Sequence, residues 1–171
     1  MYLASFLLAL VVFVVAWTSA PAKANVSDVQ PQVQTPDRAL QKTGRIAARR
    51  RWLEQRVVYL ARRATGIPYR WGGASPRSGF DCSGLASWVY SRVGVRLPHS
   101  SYTQWRYGRP VRRRALRAGD LLFFSGLGHV GIYIGGGRLI HAPHAGARVQ
   151  VARLSGWFAW SYDGARRLIA R

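Results

Sequence analysis

One cysteine and four histidines carry most of the nucleophilic and acid–base chemistry this sequence offers. Cys82 lies in the run Phe80-Asp81-Cys82-Ser83-Gly84, where a helix is expected to begin. A helix N-terminus carries partial positive charge and free N–H groups. These favour thiolate over thiol and can hydrogen-bond the oxyanion of a tetrahedral intermediate. With no second cysteine, an intrachain disulfide and any multi-cysteine zinc or iron–sulfur centre are excluded. The bland role for such a residue is a small buried hydrophobe. The sharp one is a nucleophile.

A nucleophile needs a base, and the histidines are His99, His129, His141 and His144. Taking Gly135-Gly136-Gly137 as a three-residue hairpin loop pairs Ile134 with Arg138. That register sets Gly131 opposite His141 and puts His129, Gly131 and His141 on one sheet face. The two histidines are then diagonal neighbours, roughly 7–8 Å apart at the backbone, and Gly131 leaves room for a ring. A two-residue loop would instead send the rings to opposite faces. In the first register one imidazole takes the proton of Cys82 and the other orients it, the logic of a cysteine hydrolase. His99 after Pro98 and His144 after Pro143 read as structural or surface residues. A zinc site at Cys82, His129 and His141 uses the same atoms, but no close-spaced ligand pair such as HxxxH or CxxC supports it.

These groups must be positioned by helices and a sheet. Ile46, Leu53, Val57, Leu60 and Ala64 share one helical face, and Gly66 with Pro68 ends that helix. Leu85, Val89 and Val93 mark a second helix, stopped by Gly94. From Asp120 the pattern changes to short apolar runs, Leu121–Phe124, Val130–Ile134 and Arg138–His141, with a weaker one at Val149–Val151. Strands joined by glycine-rich turns after a block of helices argue an α+β fold, with helices packed on a central antiparallel β-sheet.

The chain has 171 residues, enough for one domain with a real core, and 49% hydrophobic content excludes a disordered polymer. Its 26 basic against 6 acidic residues give +20, which favours a polyanionic partner. Anionic membrane, wall polymer and nucleic acid all satisfy that charge, and no specific nucleic-acid motif accompanies it. The uncharged apolar run 2–17, followed by small residues to Ala24, reads as an export signal over 1–24, or as an uncleaved anchor. Residues 25–44 read as a flexible linker and 45–171 as the catalytic domain. The expected setting is the periplasm or cell envelope, with the chain a monomer.

The ordered blocks Tyr69-Arg70-Trp71-Gly72-Gly73, Phe80-Asp81-Cys82-Ser83-Gly84, Leu97-Pro98, Gly119-Asp120-Leu121, Gly128-His129-Val130-Gly131-Ile132-Tyr133 and Ile140-His141-Ala142 resemble the NlpC/P60 family. These are papain-like cysteine peptidases that cut the peptide stems of bacterial peptidoglycan. The resemblance implies Cys82 as nucleophile, His129 as general base and His141 as the residue orienting it. It implies substrate-binding roles for Tyr69, beside the thiol, and for Asp81 and Ser83, near the amino end of the stem. Helix capping alone would also explain Asp81. The bond implied is D-γ-glutamyl–meso-diaminopimelate, cut through an acyl-enzyme with no cofactor and no metal. An amidase or acyltransferase on another wall bond, or a non-catalytic basic polymer binder, remains the alternative.

Overall fold

The computed structural model describes residues 37–169. The expected export signal and residues 25–36 of the expected linker lie outside the described residues. The first element, α1 (Arg38–Arg63), starts within the stretch 25–44 read as linker. Asp37 caps it, its carboxylate accepting from the Ala39 N–H at 3.3 Å. Residues 38–45 of α1 are all exposed, so no apolar periodicity announces them, and Ile46, read as the first residue of the core face, is itself 42% exposed because the helix has not yet reached the core there. Good helix formers carry it until Val57, Leu60 and Ala61 dock on the core.

A small two-stranded sheet follows, β1 (Ala74–Ser75) against β2 (Gly79–Phe80), then α2 (Cys82–Ser91) and the short α3 (Ser101–Gln104). The main sheet has six antiparallel strands: β3 (Arg109–Val111), β4 (Leu121–Phe124), β5 (His129–Gly135), β6 (Arg138–His141), β7 (Gln150–Arg153) and β8 (Tyr162–Arg167). Their spatial order is β3-β8-β4-β5-β6-β7, and the short α4 (Trp157–Trp160) precedes the last strand. The α+β expectation holds.

Both sheet faces are covered, which explains why β4 is apolar at every position. Leu121, Phe123, Val130, Ile132 and Ile140 pack with Leu85, Val89 and Tyr90 of α2 and Val57 and Leu60 of α1. Leu122, Phe124, Leu139 and Ala165 pack on the other side with Phe158 and Tyr162. Each large apolar side chain so buried contributes roughly 1.5–3 kcal/mol. Where β8 ends beside the start of β4, Asp120 and Arg167 are 1% and 5% exposed and form a two-pronged ion pair, with both N–O distances 2.7 Å. Asp120 also accepts the Arg117 N–H, and Arg167 donates to the Ala115 carbonyl, so the buried charges are hydrogen-bonded as well as paired.

The β5–β6 hairpin has the expected register at Ile132–Ile140 and Tyr133–Leu139. Nearer the turn the register shifts, and Arg138 pairs with Gly135 rather than Ile134. All three turn glycines have positive φ, which explains the glycine run. Because the slip is confined to the turn, His129 and His141 stay on one face.

Candidate active site

Cys82 is the first residue of α2, and Asp81 caps that helix by accepting the Gly84 N–H at 2.7 Å. Asp81 makes further contacts: it accepts from the Gly72 N–H at 2.9 Å and the Ser83 hydroxyl at 3.0 Å. A Cβ on Gly84 would lie 2.0 Å from the Gly73 carbonyl oxygen. Only glycine lets the first turn of α2 press against the Gly72–Gly73 turn, and that contact fixes the thiol's position. Tyr69 is held from the other side by its N–H bond to the Ala147 carbonyl, 2.9 Å.

His129 opens β5 and His141 closes β6, with His129 Nε2 at 2.9 Å from His141 Nδ1 and the rings perpendicular. If His129 Nδ1 is to act as base, its Nε2–H donates to His141 Nδ1, and this fixes the tautomer. Gly131 leaves room between the strands, since a Cβ there would lie 2.6 Å from Leu139 Cδ1 and 3.4 Å from His141 Cβ. Cys82 and His129 line one groove of about 380 Å³ with Tyr69, Asp81 and Ser83. The residues expected at the site therefore gather at this groove, with His141 behind His129.

Protonation departs from the sequence expectation. Burial pushes the Cys82 thiol above its ordinary pKa, and the Asp81 carboxylate adds to that; N–H groups of Val130 and Ser83 oppose it without prevailing. Burial lowers His129 to about 4. His141 falls to about 3 through burial and the nearby His129 and His144. The thiol and the His129 imidazole that line this groove thus both rest neutral, because desolvation outweighs the helix N-terminus expected to favour thiolate. Tyr69 is also pushed up, by burial and then by Cys82 and Asp81, so its hydroxyl stays a donor.

Several groove residues escaped sequence reasoning, among them Ser100, Ser101, Tyr102, Pro143 and His99. His99, read as a loop residue, donates from Nε2 to the Asp81 carboxylate, 2.8 Å from each oxygen. Buried Gln104 holds its loop, donating to the Pro98 carbonyl at 2.7 Å and the Ser83 carbonyl at 2.9 Å. The only local signal was a polar His99-Ser100-Ser101 run directly after Leu97-Pro98. Among the described residues no group of three or more His, Cys, Asp or Glu side chains is placed to hold a metal ion.

The profile of the NlpC/P60 family matches residues 66–167, more than half of the chain and all of this site. The chain belongs to the NlpC/P60 family. Among its relatives, murein DD-endopeptidase MepH of Escherichia coli is 42% identical over 113 residues, which are 61% of this chain and 42% of MepH. The γ-DL-glutamyl hydrolase of Bacillus subtilis is 39% identical over 117 residues, 65% of this chain and 28% of that protein. This NlpC/P60 chain therefore spans less than half the length of these curated relatives. The peptidoglycan hydrolase RipB of Mycobacterium tuberculosis superposes with a TM-score of 0.65 at 32% identity, covering 72% of this chain and 68% of that one. The NlpC/P60 fold is papain-like α+β, as the sequence resemblance implied.

Proposed function

We propose that this chain is an exported cysteine endopeptidase that hydrolyses peptide stems of bacterial peptidoglycan at the D-γ-glutamyl–meso-diaminopimelate bond. The observation that carries the reading is the His129–His141 couple at 2.9 Å, on a groove that also exposes Cys82 at the start of α2. Relatives named murein DD-endopeptidase, bifunctional muramidase/DL-endopeptidase and γ-DL-glutamyl hydrolase support peptidoglycan stems as the substrate class, and the last two names support the D-γ-glutamyl bond.

The chemistry follows from the protonation states. As Cys82 Sγ attacks the scissile carbonyl carbon, its proton passes to His129 Nδ1, so the thiolate need not form beforehand. Free N–H groups at the start of α2 and the Tyr69 hydroxyl are suited to hold the oxyanion. The His129 imidazolium then protonates the leaving nitrogen, the C–N bond breaks and a thioester remains. Water, deprotonated by His129, releases the acid and restores the thiol. His141 keeps the His129 ring in the productive tautomer and orientation.

A polyanionic surface is the second partner we assign. Arg38, Lys42, Arg45, Arg49, Trp52, Arg56, Tyr59 and Arg63 recur at alternating spacings along α1 and form one exposed stripe. Such a stripe suits peripheral contact with an anionic membrane face or wall polymer. The test of the main reading is mass spectrometry of muropeptides from purified peptidoglycan incubated with the protein. Fragments ending in D-glutamate are expected. Release of intact stems would indicate an amidase, and no release at all would end the enzymatic reading.

A further inference from the structure

The exposed stripe of α1 runs from Arg38 to Arg63 at alternating steps of four and three residues, roughly 38 Å along the helix. It lies wholly before residue 66, where the match to the family profile begins, so it stands outside the shared domain. Six of its eight positions are Arg or Lys, and the other two are Trp52 and Tyr59. We propose that α1 is a peripheral anchor that lies on an anionic lipid bilayer, its basic side chains on lipid phosphates and its two aromatic rings at headgroup depth. The proposal rests on the polyanionic-surface reading of this stripe and chooses lipid over wall polymer.

No acidic residue on the stripe offsets its charge. Glu54, the one acidic residue of α1, falls on the opposite side of the helix, 3.8 Å from Arg50. The other described carboxylates have structural partners. Asp37 caps α1, Asp81 caps α2, Asp120 pairs with Arg167, and Asp163 accepts the Leu127 N–H at 2.8 Å. Like charges one turn apart weaken a helix, so the arrangement carries a cost in water that an anionic surface removes. Residues 38–46 are exposed at every position, so this end of α1 is accessible to a flat partner.

The two aromatic positions favour lipid. Trp52 is 59% exposed and Tyr59 48%, one heptad apart among the basic residues, although Trp normally buries most of its area. A hydrated polyanion requires only the cations. A bilayer interface also takes up Trp and Tyr, whose rings have an apolar body and a polar end. The Arg56 guanidinium lies over the Tyr59 ring, 5.2 Å from its centroid, so cation and ring are presented together. Arginine stems can follow the acyl boundary while their charged ends stay at the phosphates. No helix among the described residues is long and apolar enough to cross a membrane, and the charges of α1 set it in the headgroup plane. Val57, Leu60 and Ala61 of the same helix are buried in the core, so the anchor is continuous with the domain that carries Cys82.

Flotation of the full chain with lipid vesicles tests this. Wild type should bind vesicles of phosphatidylglycerol and phosphatidylcholine, and the binding should weaken as salt rises. Each Arg or Lys near an anionic bilayer strengthens binding about fivefold, so glutamine at Arg38, Arg45 and Arg49 together should weaken it about a hundredfold. On phosphatidylcholine alone, that variant and the wild type should bind alike. Trp52→Ala should weaken binding to the anionic vesicles about tenfold or more with every charge in place, and Trp52→Phe should restore most of it. The apolar run 2–17 is common to all these chains, so differences between them report the stripe. Deuterium uptake over residues 38–50 should slow when anionic vesicles are added. Equal binding of wild type and the glutamine variant to anionic vesicles, or uptake over 38–50 that does not change, overturns the anchor. Full binding by Trp52→Ala overturns the choice of lipid, as does capture of the wild type by insoluble peptidoglycan but not by vesicles. That last result leaves the polyanionic reading standing with wall polymer as partner, and capture by neither overturns both.

Discussion

Lowering the pH tests the neutral resting site directly. With His129 held at about 4 by burial, the imidazole at about pH 5.5 is about 97% neutral and able to act as base. An imidazole at its ordinary 6.5 would be only about 9% neutral at that pH, so the two cases differ about tenfold in kcat/KM. Initial rates on a soluble stem tripeptide, measured from acid to neutral pH, should therefore stay flat well below pH 6 and fall only near 4. The imidazole ring protons should titrate at the same place by NMR, independently of turnover. Iodoacetamide modification of Cys82 should rise with pH beyond the ordinary thiol range, because burial disfavours the thiolate. The same shifts bear on stability. Between the folded and unfolded histidine pKa values the unfolded chain binds more protons. Stability is therefore complete above about 6.5 and declines as pH falls toward 4 and then 3. An acidic limb near 6.5, or alkylation already at its plateau in mild acid, would refute the neutral pair and restore a thiolate–imidazolium one.

Cys82→Ala and His129→Ala should abolish stem cleavage while circular dichroism and melting stay native, and His141→Ala should lower kcat more than it changes KM. Asp120→Ala leaves the Arg167 guanidinium buried and unpaired, so chemical denaturation should show a loss of about 3–5 kcal/mol. Gly84→Ala drives a Cβ into the Gly73 carbonyl; a stability loss of about 1–3 kcal/mol should accompany loss of turnover as the first turn of α2 shifts. Replacing Arg38, Arg45 and Arg49 with glutamate should reduce co-sedimentation with anionic vesicles or insoluble peptidoglycan and flatten its salt dependence, while hydrolysis of a soluble tripeptide is unchanged.

What the sequence made legible is local in origin. Asp81 before Cys82 announces a capped helix, and the apolar runs of β4, β5 and β6 carry their own alternation or burial. The histidine couple was legible because one hairpin register decides it, and the three-glycine turn limits the choices to two. The strand β8 was not legible. Its residues Tyr162–Arg167 alternate no apolar pattern, since its inward positions hold Ala165 and Arg167, and the latter is buried only because Asp120 awaits it on another segment. The opening turns of α1, residues 38–45, were invisible for the opposite reason: they bury nothing, so they leave no periodic trace.

His99 shows why an active site is harder to read than a fold. Its role depends on Asp81, which the sequence already explains fully as a helix cap, so no residue seems to lack a partner. In three dimensions one carboxylate serves both purposes: Oδ1 accepts the Gly84 N–H, Oδ2 accepts the Gly72 N–H, and His99 Nε2 reaches both oxygens. Rotating that carboxylate toward a substrate amine would cost the cap of the helix that carries the nucleophile. Asp81→Asn keeps an oxygen for the cap but loses the charge that His99 and an incoming ammonium both seek. Its NH2 group then faces the Gly72 N–H in place of Oδ2, so the variant should fold with a loss of about 1–3 kcal/mol and raise KM far more than it lowers kcat. An unchanged KM would mean that Asp81 serves the helix alone and that the groove holds its substrate by other groups.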